Sequence, residues 1–380
     1  MKSTYDMLGK HIRLVDTRNT DMVTDRLLGI NIDKFFMPSV ANVIGTDLSK
    51  YKLITNGWFA CNPMHVGRDA RLPVSLYTED IPAIISPAYF MFEIINNSLL
   101  LPEYLMMWFQ RTEFDRICWL KTDASVRGGL SWDDLCRMEL PVPSLDKQKS
   151  VVKAYQTITD RITLNRAIND NLEQMAQSIF KSWFIDFDPF KDEKFIESEL
   201  GLIPEGWKIG TLGDVSDITS GKRPLKKETE KSNDFLIPII GASSVMGYTN
   251  SPLYSEKIIV TGRVGTHGII QRFSSSCWPS DNTLIIKSNY YEFVYNSLKR
   301  VNFENMNRGS TQPLITQTDL KNIKLLIPEQ KILSDFETLI EKLMIYKEEN
   351  LIQNERLCAF RDLLLPKLMS GKIDVSQVKI

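Results

Sequence analysis

The chain repeats itself, and that constrains what it can fold into more than any other feature. Leu8-Gly9 returns as Leu212-Gly213, and Gly67-Arg68 as Gly262-Arg263. Arg127-Gly128-Gly129 is paralleled by Arg308-Gly309-Ser310, Asp134-Leu135 by Asp319-Leu320, and Leu140-Pro141-Val142-Pro143 by Leu325-Leu326-Ile327-Pro328. The last two pairs share one offset of 185 residues. Solenoid repeats have periods of about 20 to 50 residues. A period this long means two copies of a whole domain, each followed by an added segment.

The added segments are helical. Neither Gly nor Pro occurs between Asp146 and Trp183, or between Glu329 and Leu365. In the first, Val151, Tyr155, Ile158, Ile162, Asn165, Asn169, Leu172, Ala176, Ile179 and Trp183 step by fours and threes. In the second, Ile332, Phe336, Leu339, Leu343, Tyr346, Asn350, Gln353, Leu357, Phe360 and Leu364 do the same. A seam with this mean spacing, sustained this long, predicts a coiled-coil pair. At about 1.5 Å per residue, each helix would be roughly 57 Å long. The 185-residue offset lays Asn165 on Asn350. If the helices pair antiparallel about a pseudo-twofold axis, these two asparagines are expected to meet or nearly meet, and a buried polar pair there would fix the register at some cost in stability. The other reading is a wet or splayed centre.

The remaining sequence alternates strand-like runs, such as Ala83-Ile84-Ile85, Tyr89 to Phe92, Lys257 to Val260 and Thr283 to Ile286, with Gly, Pro, Asn and Ser. A helix is expected over Pro102 to Arg116. The fold class is therefore α+β: two duplicated globular α/β domains separated by a long antiparallel two-helix coiled coil with pseudo-twofold symmetry. Five scattered cysteines without a CxxC argue against a disulfide framework or zinc ribbon. Three separated histidines do not suggest a metal centre. The N-terminus has no apolar signal-peptide core, and the greasiest stretch, Ile81 to Ile95, is broken by Pro82, Pro87 and Glu93. A cytoplasmic protein without membrane contact is expected.

A catalytic centre is not legible. GxGxxG and GxxxxGK[ST] phosphate cradles are both missing. Asp186, Asp188, Asp192 and Glu193 lie in a connector punctuated by Phe and Pro, which reads as a solvated linker and not as a nuclease cluster. His267 has no nucleophile with an orienting acid beside it, so it reads as a polar loop residue.

What the loops do offer is ligands for nucleic acid. The first copy has Arg68 and Arg71, then Arg127 before two glycines; the second has Lys222 and Arg223, then Arg263 and His267, then Arg308 and Gln312. Arginine presents forked donors to phosphates and guanine edges, Gln suits adenine edges, and glycine lets backbone approach closely. Whole-chain charge is neutral on this point, with 46 basic and 47 acidic residues. Locally, residues 207–328 carry 15 basic and 10 acidic side chains, whereas 1–145 carry 15 and 17. Electrostatics favours a polyanion only in the second copy.

These strings are similar to those of the specificity subunit of type I restriction-modification systems, over essentially the full length. Gly201 to Trp207 followed by Thr211 to Val215 resembles the opening of that family's second target recognition domain. Trp183 to Pro189 resembles the end of its central conserved helix, and Leu363 to Ile373 the end of its distal one. Arg308 to Gln312 is similar to a loop late in many such domains. The resemblance implies a first recognition domain over 1–145, a central helix over 146–185, and a linker over 186–204. It further implies a second recognition domain over 205–328, a distal helix over 329–370 and a tail over 371–380. Each domain would read half of a bipartite, asymmetric site in double-stranded DNA, and helix length would set the spacer. The outer helix faces would dock two modification subunits that carry S-adenosylmethionine and methylate adenine, joined in some complexes by restriction subunits. No cofactor, metal or catalytic residue would belong to this chain. The first copy departs from the pattern: Ser125 to Leu130 replaces the Arg-Gly-Ser-Thr-Gln-type loop, and the N-terminus lacks the Pro-x-Gly-Trp string. Two rival readings are a coiled-coil adaptor whose globular ends bind proteins, and a stand-alone DNA methyltransferase or nuclease fragment.

Overall fold

The computed structural model describes residues 5–41, 43, 45–64, 66–122, 128–264, 268–303 and 314–373. The chain divides into two compact units, Met1–Leu164 with Gln353–Ile380, and Asn165–Ile352. Two 40-residue helices, α1 (Leu145–Phe184) and α2 (Gln330–Met369), each contribute one half to each unit.

Six strands frame the first unit. β1 (Tyr5–Met7) pairs antiparallel with β6 (Glu139–Pro141). β2 (Ile12–Leu14), β3 (Phe59–Cys61), β4 (Val74–Leu76) and β5 (Phe90–Ile94) form an antiparallel sheet in the order β2-β5-β3-β4. In the second unit β7 (Lys208–Thr211) pairs with β12 (Lys324–Ile327). There, β8 (Asp217–Ser220), β9 (Ile258–Gly262), β10 (Gln271–Phe273) and β11 (Thr283–Lys287) form a sheet in the order β8-β11-β9-β10. The two frameworks have one topology, which is the duplication made visible.

The Leu-Gly doublets show why these residues recur. Leu8 and Leu212 are both fully buried, and their backbone N–H groups donate to Met138 and Ile323 carbonyls, each at 2.8 Å. The glycine beside each leaves room for a short helix. A Cβ on Gly9 would lie 2.7 Å from Cys136 Cβ, at the end of Trp132–Cys136, and one on Gly213 would lie 3.3 Å from Lys321, at the end of Gln317–Lys321. Leucine anchors the turn, and glycine lets the helix close over it.

Each framework fuses to its half-helices through a shared apolar core. Phe59, Phe92, Trp108, Phe109 and Phe114 continue into Val151 and Tyr155 of α1 and Leu365, Leu368 and Met369 of α2. In the other unit Phe184 packs on Phe336 and Phe293 with ring centroids 4.8 and 5.1 Å apart. The helix halves run antiparallel in both units. Tyr155 lies near Arg361, and Arg161 donates to Gln353 Oε1 at 3.4 Å. Asn350 Nδ2 donates to Asn169 Oδ1 at 3.0 Å, and Lys347 pairs with Glu173 at 2.6 Å.

One expectation is refined and three need amendment. The partner of Asn350 is Asn169, one turn beyond Asn165. The seam of α1 is buried or half-buried throughout, whereas that of α2 is shifted. Leu339, Tyr346, Gln353 and Phe360 are exposed, and the covered stripe runs through Leu333, Phe336, Ile340, Met344, Asn350, Asn354, Leu365 and Leu368. This helix carries apolar residues on two faces, so a three-four count alone selects neither. The helix expected over Pro102 to Arg116 is two helices, Pro102–Phe109 and Thr112–Lys121, because the Lys34 ammonium donates to the Phe109 carbonyl and Arg111 turns extended. The 186–204 segment also folds, as a hairpin of Phe195–Ser198 with Gly201–Pro204, preceded by a turn that buries Phe190.

Candidate nucleic-acid interface

In the second unit the basic loops converge on one end of the sheet. The turn Ser280 to Asn282 leads into β11, and three backbone hydrogen bonds tie two segments to it or beside it. Gly221 N–H donates to Thr283 O at 3.0 Å, Lys222 N–H to Pro279 O at 3.1 Å, and Arg263 N–H to Asn282 O at 2.8 Å. Trp278 Nε1 donates to the Lys222 carbonyl at 2.7 Å, and Gln317 Nε2 to Ser220 Oγ at 2.9 Å. A Cβ on Gly221 would sit 2.0 Å from the Ser280 carbonyl, so only glycine permits this approach. Lys222, Arg223 and Arg263 therefore share one rim. Arg223 reaches Asp281 at 3.6 Å while staying 85% exposed, a weak surface pair. Lys222, Lys226 and Lys227 form no ion pair among the described residues.

The equivalent connection in the first unit, between β3 and β4, carries Arg68 on the short helix Val66–Asp69, followed by Arg71. Gly67 N–H donates to Gly128 O at 3.0 Å and Leu130 N–H to Pro63 O at 3.1 Å, which brings the glycine segment alongside. Both arginines are matched by carboxylates: Arg68 chelates Asp69 at 2.6 and 2.9 Å, and Arg71 meets Asp33 at 2.8 Å. Beneath them Lys34 Nζ donates to Asp115 Oδ1 at 2.8 Å, and the same oxygen accepts from Leu72 N–H at 3.1 Å. Burial lowers the Lys34 pKa while the Asp115 carboxylate opposes the shift. This buried pair fastens the hairpin Leu28–Ile30/Phe36–Pro38 to the arginine loop. Lys34 was not among the sequence candidates, since an isolated lysine in a turn carries no spacing signal. Arg127, His267, Arg308 and Gln312 lie outside the described residues. Val264 and Leu314, which flank two of those segments, bridge each other.

Two of the four carboxylates that could imitate a nuclease cluster are held in ion pairs. Asp186 pairs with Lys181, and Asp188 with Lys191 at 2.6 Å. Among the described residues, no group of three or more His, Cys, Asp or Glu side chains could hold a metal ion, and no helix is long and apolar enough to cross a membrane.

Residues 204–354 match the type I restriction modification DNA specificity domain. Over 282 residues the chain is 28% identical to the type I restriction enzyme MjaIX specificity subunit of Methanocaldococcus jannaschii, covering 66% of this chain and 64% of that relative, just under two thirds. Over 429 residues it is 24% identical to the HindI specificity subunit of Haemophilus influenzae, covering 90% and 92%. The crystal structure of the type I restriction-modification S subunit from M. genitalium shares the fold, with a TM-score of 0.59 at 14% identity over 96% of each chain. The chain is thus similar to type I specificity subunits, in that domain over residues 204–354 and more distantly along most of its length.

The strings that carry the family likeness have a physical role in this chain. Trp207 is buried against Phe184, Phe187 and Phe190, with centroids 6.0, 5.5 and 5.2 Å away. Phe187 takes a left-handed conformation (φ 55°) to join this box. The end of α1 and the Pro-x-Gly-Trp string are thus two sides of one aromatic cluster. At the end of α2, Gly371 (φ 70°) closes the helix in the left-handed cap that glycine favours.

Proposed function

We propose that this chain is a type I specificity subunit that reads duplex DNA, one half of a bipartite, asymmetric site per unit, and performs no chemistry itself. The observation that carries this reading is the recurrence of one six-stranded framework with an arginine-bearing loop at the same connection, β3 to β4 and β9 to β10. The long helices set the unread spacer and dock two modification subunits. Those subunits hold S-adenosylmethionine and methylate adenine, restriction subunits join in complexes that also cleave, and the assembly works in the cytoplasm. The test is methylome sequencing of a host carrying this chain with its modification partner. An asymmetric two-part motif, methylated on adenine in both halves, is expected; a continuous motif or no new motif overturns the reading.

One observation favours a second reading for the first unit, that of a protein-binding adaptor. Its arginines Arg68 and Arg71 are already paired with Asp69 and Asp33. A duplex mobility shift across a salt series separates the two, because phosphate contacts make affinity fall steeply with salt.

A further inference from the structure

Leu225 is 97% exposed, the most exposed large apolar side chain among the described residues. It lies in the run Lys222-Arg223-Pro224-Leu225-Lys226-Lys227, with exposed cations on both sides. The loop is fixed at both feet. Lys222 is held by Pro279 and Trp278, while Glu228 exchanges two backbone hydrogen bonds with Tyr248, at 2.9 and 2.8 Å. The second foot is close-packed, since a Cβ on Gly247 would lie 2.4 Å from the Glu228 carbonyl. The Glu228 carboxylate accepts from Ser232 Oγ at 2.8 Å, beyond the tip.

Cations alone would suit phosphates. An apolar side chain held among them gains by burying its surface on an apolar group lying between phosphates. In the major groove that partner is the C5-methyl group of thymine. Arg223 and Lys226 are three residues apart, so their Cα atoms span at most about 10 Å, and their long side chains reach phosphates across a groove about 12 Å wide. Resting on the DNA-reading function above, we propose that Leu225 enters the major groove and packs on a thymine methyl. Lys222, Arg223, Lys226 and Lys227 hold the flanking phosphates. Leu225 is then a specificity-determining residue of the second half-site.

The test is selection from a randomised duplex library by the full chain with its modification subunits, as wild type, Leu225→Ala, and Lys226→Ala/Lys227→Ala. Each thymine of the wild-type duplex is then replaced by uracil. One replacement should weaken wild-type binding about fivefold, the worth of one methyl, and have no effect on Leu225→Ala, which itself binds about tenfold more weakly. The lysine variant should select the same sequence, bind every duplex less tightly, and lose about two units of salt slope. Unchanged selection and affinity for a folded Leu225→Ala overturns the proposal. So does a uracil effect of undiminished size in that variant, or Leu225-dependent capture by phosphatidylserine vesicles with duplex binding intact. A wild-type complex that selects no sequence sinks the DNA-reading function, and this inference with it.

Discussion

Asn350 and Asn169 join the two long helices by a buried hydrogen bond of 3.0 Å, with Asn169 Nδ2 left without a hydrogen-bond partner among the described residues. A seam amide of this kind lowers stability while excluding registers that would set it against an apolar side chain. Asn350→Leu should cost about 1 to 3 kcal/mol, because the Asn169 carbonyl loses its donor. Adding Asn169→Leu should restore most of that loss, giving a strongly non-additive double-mutant cycle. Urea unfolding of the three variants checks it; additive losses would mean that the pair does not act as a unit.

Glu337 accepts from the N–H groups of Glu292 and Phe293 at 3.0 and 2.8 Å, at the start of helix Tyr291–Leu298. Burial pushes its pKa up to about 7, with the two backbone donors pulling the other way. Between the ordinary carboxylate range and pH 7 the folded protein therefore binds more protons at this site than the unfolded chain. Stability from this group should fall as pH rises through that window. Glu337→Gln should flatten the fall, which thermal melts from pH 5 to pH 8 would show as converging curves at the acid end and a relative gain for the variant at the alkaline end.

Arg272 holds the second sheet against α1 and the helix Tyr291–Leu298. Its guanidinium meets Glu292 at 2.6 Å and Glu173 at 3.8 Å and lies 4.6 Å from the Tyr295 ring centroid. The Glu292 carboxylate is 2% exposed, so Arg272→Ala strands a buried charge and should destabilise by about 3 to 5 kcal/mol. Arg272→Ala/Glu292→Gln should recover part of this by chemical denaturation. No recovery would place the effect in packing on Tyr295 instead.

Gly221→Ala should drive the Ser280 turn away from β8, costing about 1 to 3 kcal/mol and at least tenfold in duplex affinity, since Lys222 and Arg223 move with it. At Gly29 nothing lies within 4 Å of the place a methyl group would take, so Gly29→Ala is the matched control and should leave both unchanged. Thermal melting with a mobility shift reads the two effects.

What could be read beforehand followed from repetition and period. The doublets at Leu8 and Leu212 announced equivalent turns because both leucines had to be buried and both glycines had to admit a helix. The long helices were legible from the lack of breakers, yet the register of α2 was not, because Leu339, Tyr346 and Phe360 offer a second apolar line that only packing rejects. Of the binding loops, the convergence of Lys222, Arg223 and Arg263 depends on backbone bonds around Ser280 to Asn282 that leave no sequence mark. Leu225 escaped notice for a related reason: a single apolar residue in a polar loop has no period.

The core of the first unit draws on both ends of the chain, with Leu365, Leu368 and Met369 packed beside Trp108 and Tyr155. A recombinant that took residues 1–164 from a relative would import one side of that core and keep the other. Such a chimaera therefore keeps an intact core only where the distal stretch 353–373 matches the newcomer, so the two segments of the first unit have to change together.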